Sequence, residues 1–495
     1  MTQLTSLNED VLDAIISRLR FRDALSLSET CRNLHPISVG NAISDVYLTH
    51  PGQLERFCIY MLADAQNRLL RLRRLEIVAQ ALGIIPSGEE TWESPMIPIE
   101  KLADALEGAS NLEKLDIECV QPLLEAMPRL PSILLRLRGM KELALRHVPF
   151  AAAKDLLPTR STHLRMLILT EASFTSASPT ILKHLASFPQ LTRLECSTLY
   201  VSDFEHPVTL PSITHLVIGQ WGHDIPLASI ANTFPGVRRL HVKSIIWDLS
   251  MIDDVRWHAG ESIATGCWNH LDELCGTAEA LGGYITCPVR MFRRLASRAE
   301  FLYELEEGTA AIRRTAPVCI SLYTFTDSPW HVWKRLGENT PRLRFLDIHV
   351  SDAGIGTSMD TWMENVPPAL QSLRIVCMRL QITDICHAMP AGLSSSDMLD
   401  LEQDVINTLP NLLARYIASL QYLGIGIGDK RYDMYTRSWS FVGKTSWWRV
   451  SRDGQEDNVR MEPISADIGE RVIAYIDSAE FEATMQFDDA RFRSK

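Results

Sequence analysis

The chain has 495 residues, enough for about three domains by the usual length prior unless it is a repeat array. Apolar residues at 46% and charged residues at 22% exclude general disorder. A net charge of −12 argues against broad binding to nucleic acid or anionic membranes, which needs clustered Lys and Arg. No basic region followed by an apolar core opens the sequence, and no run approaches the roughly 18 apolar residues of a membrane helix. The ten cysteines are scattered and form no small disulfide framework, so a reducing compartment, cytosol or nucleus, is expected.

In chain order the first predicted element is a helix opened by Asn8, a good N-cap, with Glu9 and Asp10 in the first turn where the helix dipole favours acid. Val11, Leu12, Ile15, Ile16 and Leu19 follow at helical spacing. The phase breaks at Arg20-Phe21-Arg22. Asp23 can cap a second short helix carrying Leu25 and Leu27, and Thr30 to Leu34 reads as the start of a third, which Pro36 limits. Three such helices bury little surface alone, so the unit packs on the downstream chain or on a partner.

The stretches LNEDVLDAIISRL (7–19) and DALSLSETCRNL (23–34) resemble the F-box motif in order, spacing and position. Asn8 stands where the motif usually has Pro, and either residue can start a helix. The resemblance implies binding to the Skp-family adaptor of a cullin-RING ubiquitin ligase. Leu7, Val11, Leu12, Ile15, Leu19, Leu25, Leu27, Cys31 and Leu34 then either line that contact or hold the three helices together. The other reading of the same stretch is a helical cap on a repeat array. Residues 41–70 read as a helical linker or N-terminal cap. The basic knot RLLRLRRL (68–75), with Arg68, Arg71, Arg73 and Arg74, reads as a solvated face over buried leucines.

From residue 71 to 428 one pattern returns: apolar, two variable residues, Leu, one variable residue, apolar. Copies are LRRLEI (72–77), LEKLDI (112–117), MKELAL (140–145), LRMLIL (164–169), LTRLEC (191–196), ITHLVI (213–218), VRRLHV (237–242), LRFLDI (343–348), LQSLRI (370–375) and LQYLGI (420–425). The central leucines from 115 to 240 are 28, 24, 27, 22 and 24 residues apart, the leucine-rich-repeat period of one strand and one helical return. Proline corners at SFPQL, TFPGV, NTPRL and NVPPAL end each return and feed the next strand. HLDELCG, AEFLYEL and CISLYTFTD are poor copies, and the long gaps from 75 to 115 and 373 to 423 hold insertions, one of them the loop-like GIIPSGEETWESPMIP. Irregular spacing of this kind resembles the fungal-type F-box/leucine-rich-repeat proteins. An open doubly wound α/β sheet is the rival, but it calls for longer Val/Ile-rich strands. Glu76, Asp116, Glu195, His241, Asp347 and Arg374 fall between buried repeat positions and are expected to point outward on the concave face.

Residues 429–495 change character. Tyr432, Tyr435, Trp439, Phe441, Trp447 and Trp448, with turn formers at Gly443 and Asp453-Gly454, read as a strand-rich cap over the open end of the array, or as an aromatic ligand patch; an amphipathic helix follows near Ile468 to Ile476. No catalytic, cofactor or metal set is expected. GIGIGDK (424–430) sits on a repeat strand and lacks phosphate-loop spacing, and Cys267, His270, Cys275 and Cys287, with His258 upstream, lack a C-x2-C pair.

The expected fold is thus an α/β repeat solenoid, an irregular leucine-rich-repeat horseshoe, with a small all-α F-box at 1–40 and an aromatic-rich cap. The expected role is a non-catalytic substrate receptor of a Skp–cullin–F-box ligase, in cytoplasm or nucleus, with an unknown target protein. A repeat scaffold without ligase function, or a ligand-dependent sensor with a polar pocket near 248–330, are its rivals.

Overall fold

The computed structural model describes residues 7–16, 18–19, 21–83, 99–148, 152, 155–157, 162–171, 181–199, 208–222, 227–246, 268–276, 285–294, 312–325, 330–351, 359–383, 395–433, 438–452 and 459–492. Two compact units divide the chain, Met1–Val237 and Arg238–Lys495. Among the described residues no helix is long and apolar enough to cross a membrane.

The first unit begins with three short helices, α1 (Glu9–Ile16), α2 (Phe21–Ser28) and α3 (His35–Ala42). Asn8 opens α1 as expected: its carbonyl accepts from Val11 and Leu12, and its side chain accepts from Asp10 N–H at 3.2 Å. Two boundaries differ from the sequence reading. Helix α2 starts two residues before Asp23, and α3 starts at His35, with Pro36 inside its first turn. Proline costs nothing there because a first-turn N–H has no helical partner anyway.

Among its described residues seven strands follow: β1 (Asp45–Leu48), β2 (Arg74–Ile77), β3 (Lys114–Ile117), β4 (Glu142–Val148), β5 (Met166–Glu171), β6 (Arg193–Leu199) and β7 (His215–Gly222). Each pairs in parallel with the next in sequence. Within residues 41–70, read as helical, Pro51–Leu62 and Ala65–Arg68 are helices, but 45–48 form strand β1. Its Val46 and Leu48 are buried while Asp45 and Tyr47 are exposed, the period-two pattern of a half-buried strand.

The register puts equivalent repeat positions side by side. Val46, Leu75, Leu115, Leu143, Leu167, Leu194 and Leu216 form one row; Leu48, Ile77, Ile117, Leu145, Leu169, Cys196 and Ile218 form a second. Both rows are buried. The returns bury apolar stripes of their own, such as Leu54, Phe57, Cys58 and Met61 of α4 (Pro51–Leu62) and Leu102, Ala103, Ala105 and Leu106 of the helix Ile99–Gly108. Each repeat therefore hides its leucines between a strand and a return, which no single repeat could do alone.

The second unit holds β8 (Arg239–Ile246), β9 (Leu271–Gly276), β10 (Val289–Arg294), β11 (Cys319–Phe325), β12 (Phe345–Ser351), β13 (Cys377–Thr383) and β14 (Tyr422–Asp433), again paired in parallel in sequence order. The long β15 (Ser438–Arg452) and β16 (Val459–Ile464) then add on antiparallel. The two poor copies HLDELCG and CISLYTFTD are strands β9 and β11, β10 is a strand the repeat pattern missed, and AEFLYEL lies outside the described residues. Both units thus build a repeated, mostly parallel α/β fold.

The copy at 370–375 is out of phase. Its leucine, Leu373, sits in the loop before β13, and Met378 takes the row of Leu346 and Leu423. The proline corner fails there too, because Pro367 and Pro368 lie within the last turn of the helix Met359–Ala369. The long gap after β13 holds the helix Ser395–Tyr416.

Candidate docking surfaces

In the N-terminal helices the apolar residues divide into two groups. Leu12, Ile16 and Leu34 form a small buried core, with Leu7, Leu19, Leu27, Cys31 and Ile37 packed against it half-buried. Val11 and Ile15, on the other flank of α1, are 45% and 39% exposed. The side chain of Leu25, in α2, lies outside the described residues. Asn41 of α3 donates to the carbonyl of Ile16 at 2.7 Å, tying the third helix to the end of the first.

The basic knot beside this module is committed to neighbours. Arg68 lies over the Tyr60 ring at 3.8 Å, Arg73 pairs with Glu113 at 3.6 Å, and Arg74 pairs with Asp45 at 3.4 Å.

The polar row of the sheets, between the leucine rows, carries ion pairs from strand to strand. In the first unit Glu76 pairs with Lys114, and Asp116 accepts both Nε and Nη2 of Arg146 at 3.1 Å. Burial opposes the charge on Arg146, but the hydrogen bonds and charge of Asp116 outweigh it and hold the guanidinium above its ordinary value. In the second unit Glu273 lies between His241 at 3.3 Å and Arg293 at 2.8 Å; although burial would raise its carboxyl, these partners hold it down at about 2.

Asp347 is the most enclosed of the set. It accepts from Arg379 Nε and Nη2 at 2.8 and 3.0 Å and from Ser321 Oγ at 3.0 Å, with His349 Nε2 at 3.2 Å. Burial pushes its carboxyl up, yet His349 and Arg379 hold it well below the usual carboxylate range.

Three of the six outward-facing expectations need correction. Asp347 and Glu195 are buried rather than presented, because long basic neighbours fold over them. Arg374 is exposed in the loop before β13, and Arg379 takes the strand position. Glu76, Asp116 and His241 are half-buried within the ion pairs above.

The C-terminal segment covers part of one face of the second unit's sheet. Met291, Cys319, Phe345, Cys377 and Tyr422 form one row across β10 to β14, two residues before the Asp347 row and on the same face. Val472 and Ile476 of the helix Ala466–Ile476, Phe481 of the helix Ala479–Thr484, and Phe492 pack onto this row. Acidic residues pin the segment: Glu470 to Arg379 at 3.6 Å, and Glu482 to Arg342 at 3.3 Å and His270 at 3.5 Å, while Asp477 lies 3.5 Å from Arg290. The sequence reading missed this lid because its contacts join residues far apart in the chain.

Trp447 is the keystone of the aromatic stretch. A Cβ on Gly469 would come within 2.2 Å of its ring, and one on Gly424 within 2.8 Å. Gly469→Ala, which in an open helix would stabilise by about 1 kcal/mol, is therefore expected to destabilise by about 1–3 kcal/mol through overpacking. A fall in the urea midpoint of the full chain, followed by tryptophan fluorescence, checks this.

Asp477 carries the opposite prediction. Burial raises its carboxyl despite Arg290, and it sits at the C-terminal end of its helix, where the dipole disfavours negative charge. A raised acid costs stability once ionised, above its folded-state value. Asp477→Asn should stabilise the chain at pH 7 by about 0.3–1 kcal/mol from the dipole alone, read as a higher melting temperature, and the gain should shrink as the pH falls towards 4.

Of the Cys/His group, Cys275 and Cys287 are buried, His270 is held between Asp272 and Glu482, and Cys267 and His258 lie outside the described residues. Among the described residues no three His, Cys, Asp or Glu side chains are placed to hold a metal ion. The GIGIGDK stretch is part of β14. Tyr435 and the side chains of Tyr432 and Trp439 lie outside the described residues, and Phe441 and Trp448 are half-buried.

No family model matches the chain, and no curated protein matches it. Among solved structures it is similar to a chain of the crystal structure of the Rad7 and Elc1 complex in yeast, at 14% identity, covering 80% of this chain and 100% of that one, with a TM-score of 0.32. A likeness at that TM-score carries no argument about this chain.

Proposed function

We propose that this protein is a substrate-recognition subunit of a cullin-RING ubiquitin ligase: its N-terminal helices dock on a Skp-family adaptor, and its repeats hold a target protein. One observation carries the reading. On α1 Leu12 and Ile16 turn inward, while Val11 and Ile15 stay in water. A helix that serves only as a cap gains nothing from exposed β-branched residues; a helix that enters an apolar groove needs them. The F-box-like spacing of the same residues supports the identity of the groove's owner.

In this reading the chain performs no chemistry. It holds target lysines near a charged ubiquitin carrier supplied by other subunits, and the rate gain is one of effective concentration. It works in the cytosol or nucleus, needs no cofactor, and binds neither nucleic acid nor membrane.

The test is capture of a purified Skp-family adaptor by the full-length chain at micromolar concentration, against a chain lacking residues 1–40. Capture by the full-length chain alone supports the receptor reading. No capture by either would make the protein a repeat scaffold whose N-terminal helices are only a cap.

A further inference from the structure

Cys119 lies two residues beyond the end of β3, and His147 lies near the end of β4. The register that pairs Lys114 with Glu142 and Ile117 with Leu145 carries position 119 onto position 147, so the two are equivalent sites of successive repeats. Both backbones are left-handed, at φ of 55° and 52°. Such a conformation costs a side-chain-bearing residue about 1–2 kcal/mol. It turns both side chains to one spot, where Cys119 Sγ stands 3.6 Å from His147 Nδ1, both partly open to solvent.

Two buried cysteines are placed differently. Cys196 Sγ points at the carbonyl of Val217 at 3.7 Å and Cys319 Sγ at that of Ile476 at 3.8 Å. A carbonyl accepts a hydrogen bond from a thiol but cannot take its proton; an imidazole can. Burial pushes the Cys58 thiol up to about 12 and raises those of Cys319 and Cys377. Cys31 and Cys119 are the two described cysteines with partial exposure.

We propose that Cys119 is a modification site, a reactive thiol that forms mixed disulfides with small disulfides, with His147 as its base. The Cys119 proton passes to His147 Nδ1. The thiolate attacks one sulfur of the disulfide R–S–S–R, a new S–S bond forms as the old one breaks, and the leaving thiolate takes the imidazolium proton and departs as R–SH. The disulfide is the oxidant, and one equivalent of thiol is released for each chain modified.

The test treats the native full-length chain with oxidised glutathione and follows each cysteine by peptide mass spectrometry over time and pH. Cys119 should be modified about tenfold or more faster than Cys31 at pH 7, with a pH–rate midpoint below the roughly 8.5 of a free thiol. His147→Asn keeps a residue type that tolerates the left-handed backbone but cannot take the proton. It should slow Cys119 about tenfold and move the midpoint up to about 8.5. Buried Cys58 and Cys196 report on the fold by staying unmodified. Equal rates at Cys119 and Cys31, or no change in His147→Asn, would overturn the proposal. If the variant exposes Cys58 or Cys196, the wild-type profile decides: a Cys119 midpoint well below 8.5 upholds the proposal and one at about 8.5 overturns it.

Discussion

Replacing Val11 and Ile15 together with Asp should abolish capture of a Skp-family adaptor while leaving the N-terminal helices folded. Both side chains are exposed in the free chain, so the charges meet water and the fold loses little. At an apolar interface each carboxylate would be buried without a partner, at several kcal/mol apiece. Since 1.4 kcal/mol is tenfold in affinity, the loss should exceed about 100-fold. Leu12→Asp, the obvious disruptive variant from sequence alone, is the wrong probe. Leu12 is 7% exposed and packs with Ile16 and Leu34, so a charge there dismantles the module and abolishes binding for a trivial reason. Hydrogen exchange over residues 7–42 separates the two cases: protection retained in Val11→Asp/Ile15→Asp, lost in Leu12→Asp. Undiminished adaptor capture by the double variant would remove α1 from the interface.

Asp347→Ala should be among the most destabilising single substitutions in the second unit. Truncation removes four contacts at once and strands the largely buried Arg379, leaving Glu470 at 3.6 Å as its ion-pair partner among the described residues. Breaking a buried pair in this way costs about 3–5 kcal/mol. Nine of the eleven tryptophans lie beyond Val237, so the fluorescence midpoint in urea reports on this unit. The pH dependence has a definite sign. Asp347 and Glu273 are both held below ordinary carboxylate values in the folded chain, Glu273 at about 2. Their stabilisation is present in full above the unfolded range near 4 and is lost as the pH falls towards 2. The gap between wild type and Asp347→Ala should narrow over that window, and a gap independent of pH would show that the carboxylate's charge is not what matters.

The repeat pattern was legible wherever a leucine marked the strand. The copies from Leu75 to Leu216 fall into the expected rows, because a leucine at the same phase every two dozen residues has no other way to be buried. It failed where another residue filled the slot. Phe292 and Met378 do the leucine's work in β10 and β13, and Leu373, which looks right, lies in the preceding loop. Strand β1 was hidden because a Val stands at the marker position. The candidate site was half legible: spacing identified the apolar face of α1, but only packing separates Leu12 and Ile16 from Val11 and Ile15, since all four lie on one broad stripe. Burial of Asp347 could not be read, because it depends on Arg379 of the neighbouring strand lying opposite.

The C-terminal segment over β10 to β14 has a consequence for how the protein is made. The row Met291, Cys319, Phe345, Cys377 and Tyr422 is translated well before Val472, Ile476, Phe481 and Phe492, which cover it. As the nascent chain leaves the ribosome this row stays bare until residues 472–492 have emerged, a long-range closure of the kind that is slow and exposed to misassociation. A premature stop after β16 would leave every strand of the sheet in place and still yield a sticky product. Residues 472–492 act as the seal on this row, and a frameshift that disturbs them reaches the centre of the second unit directly.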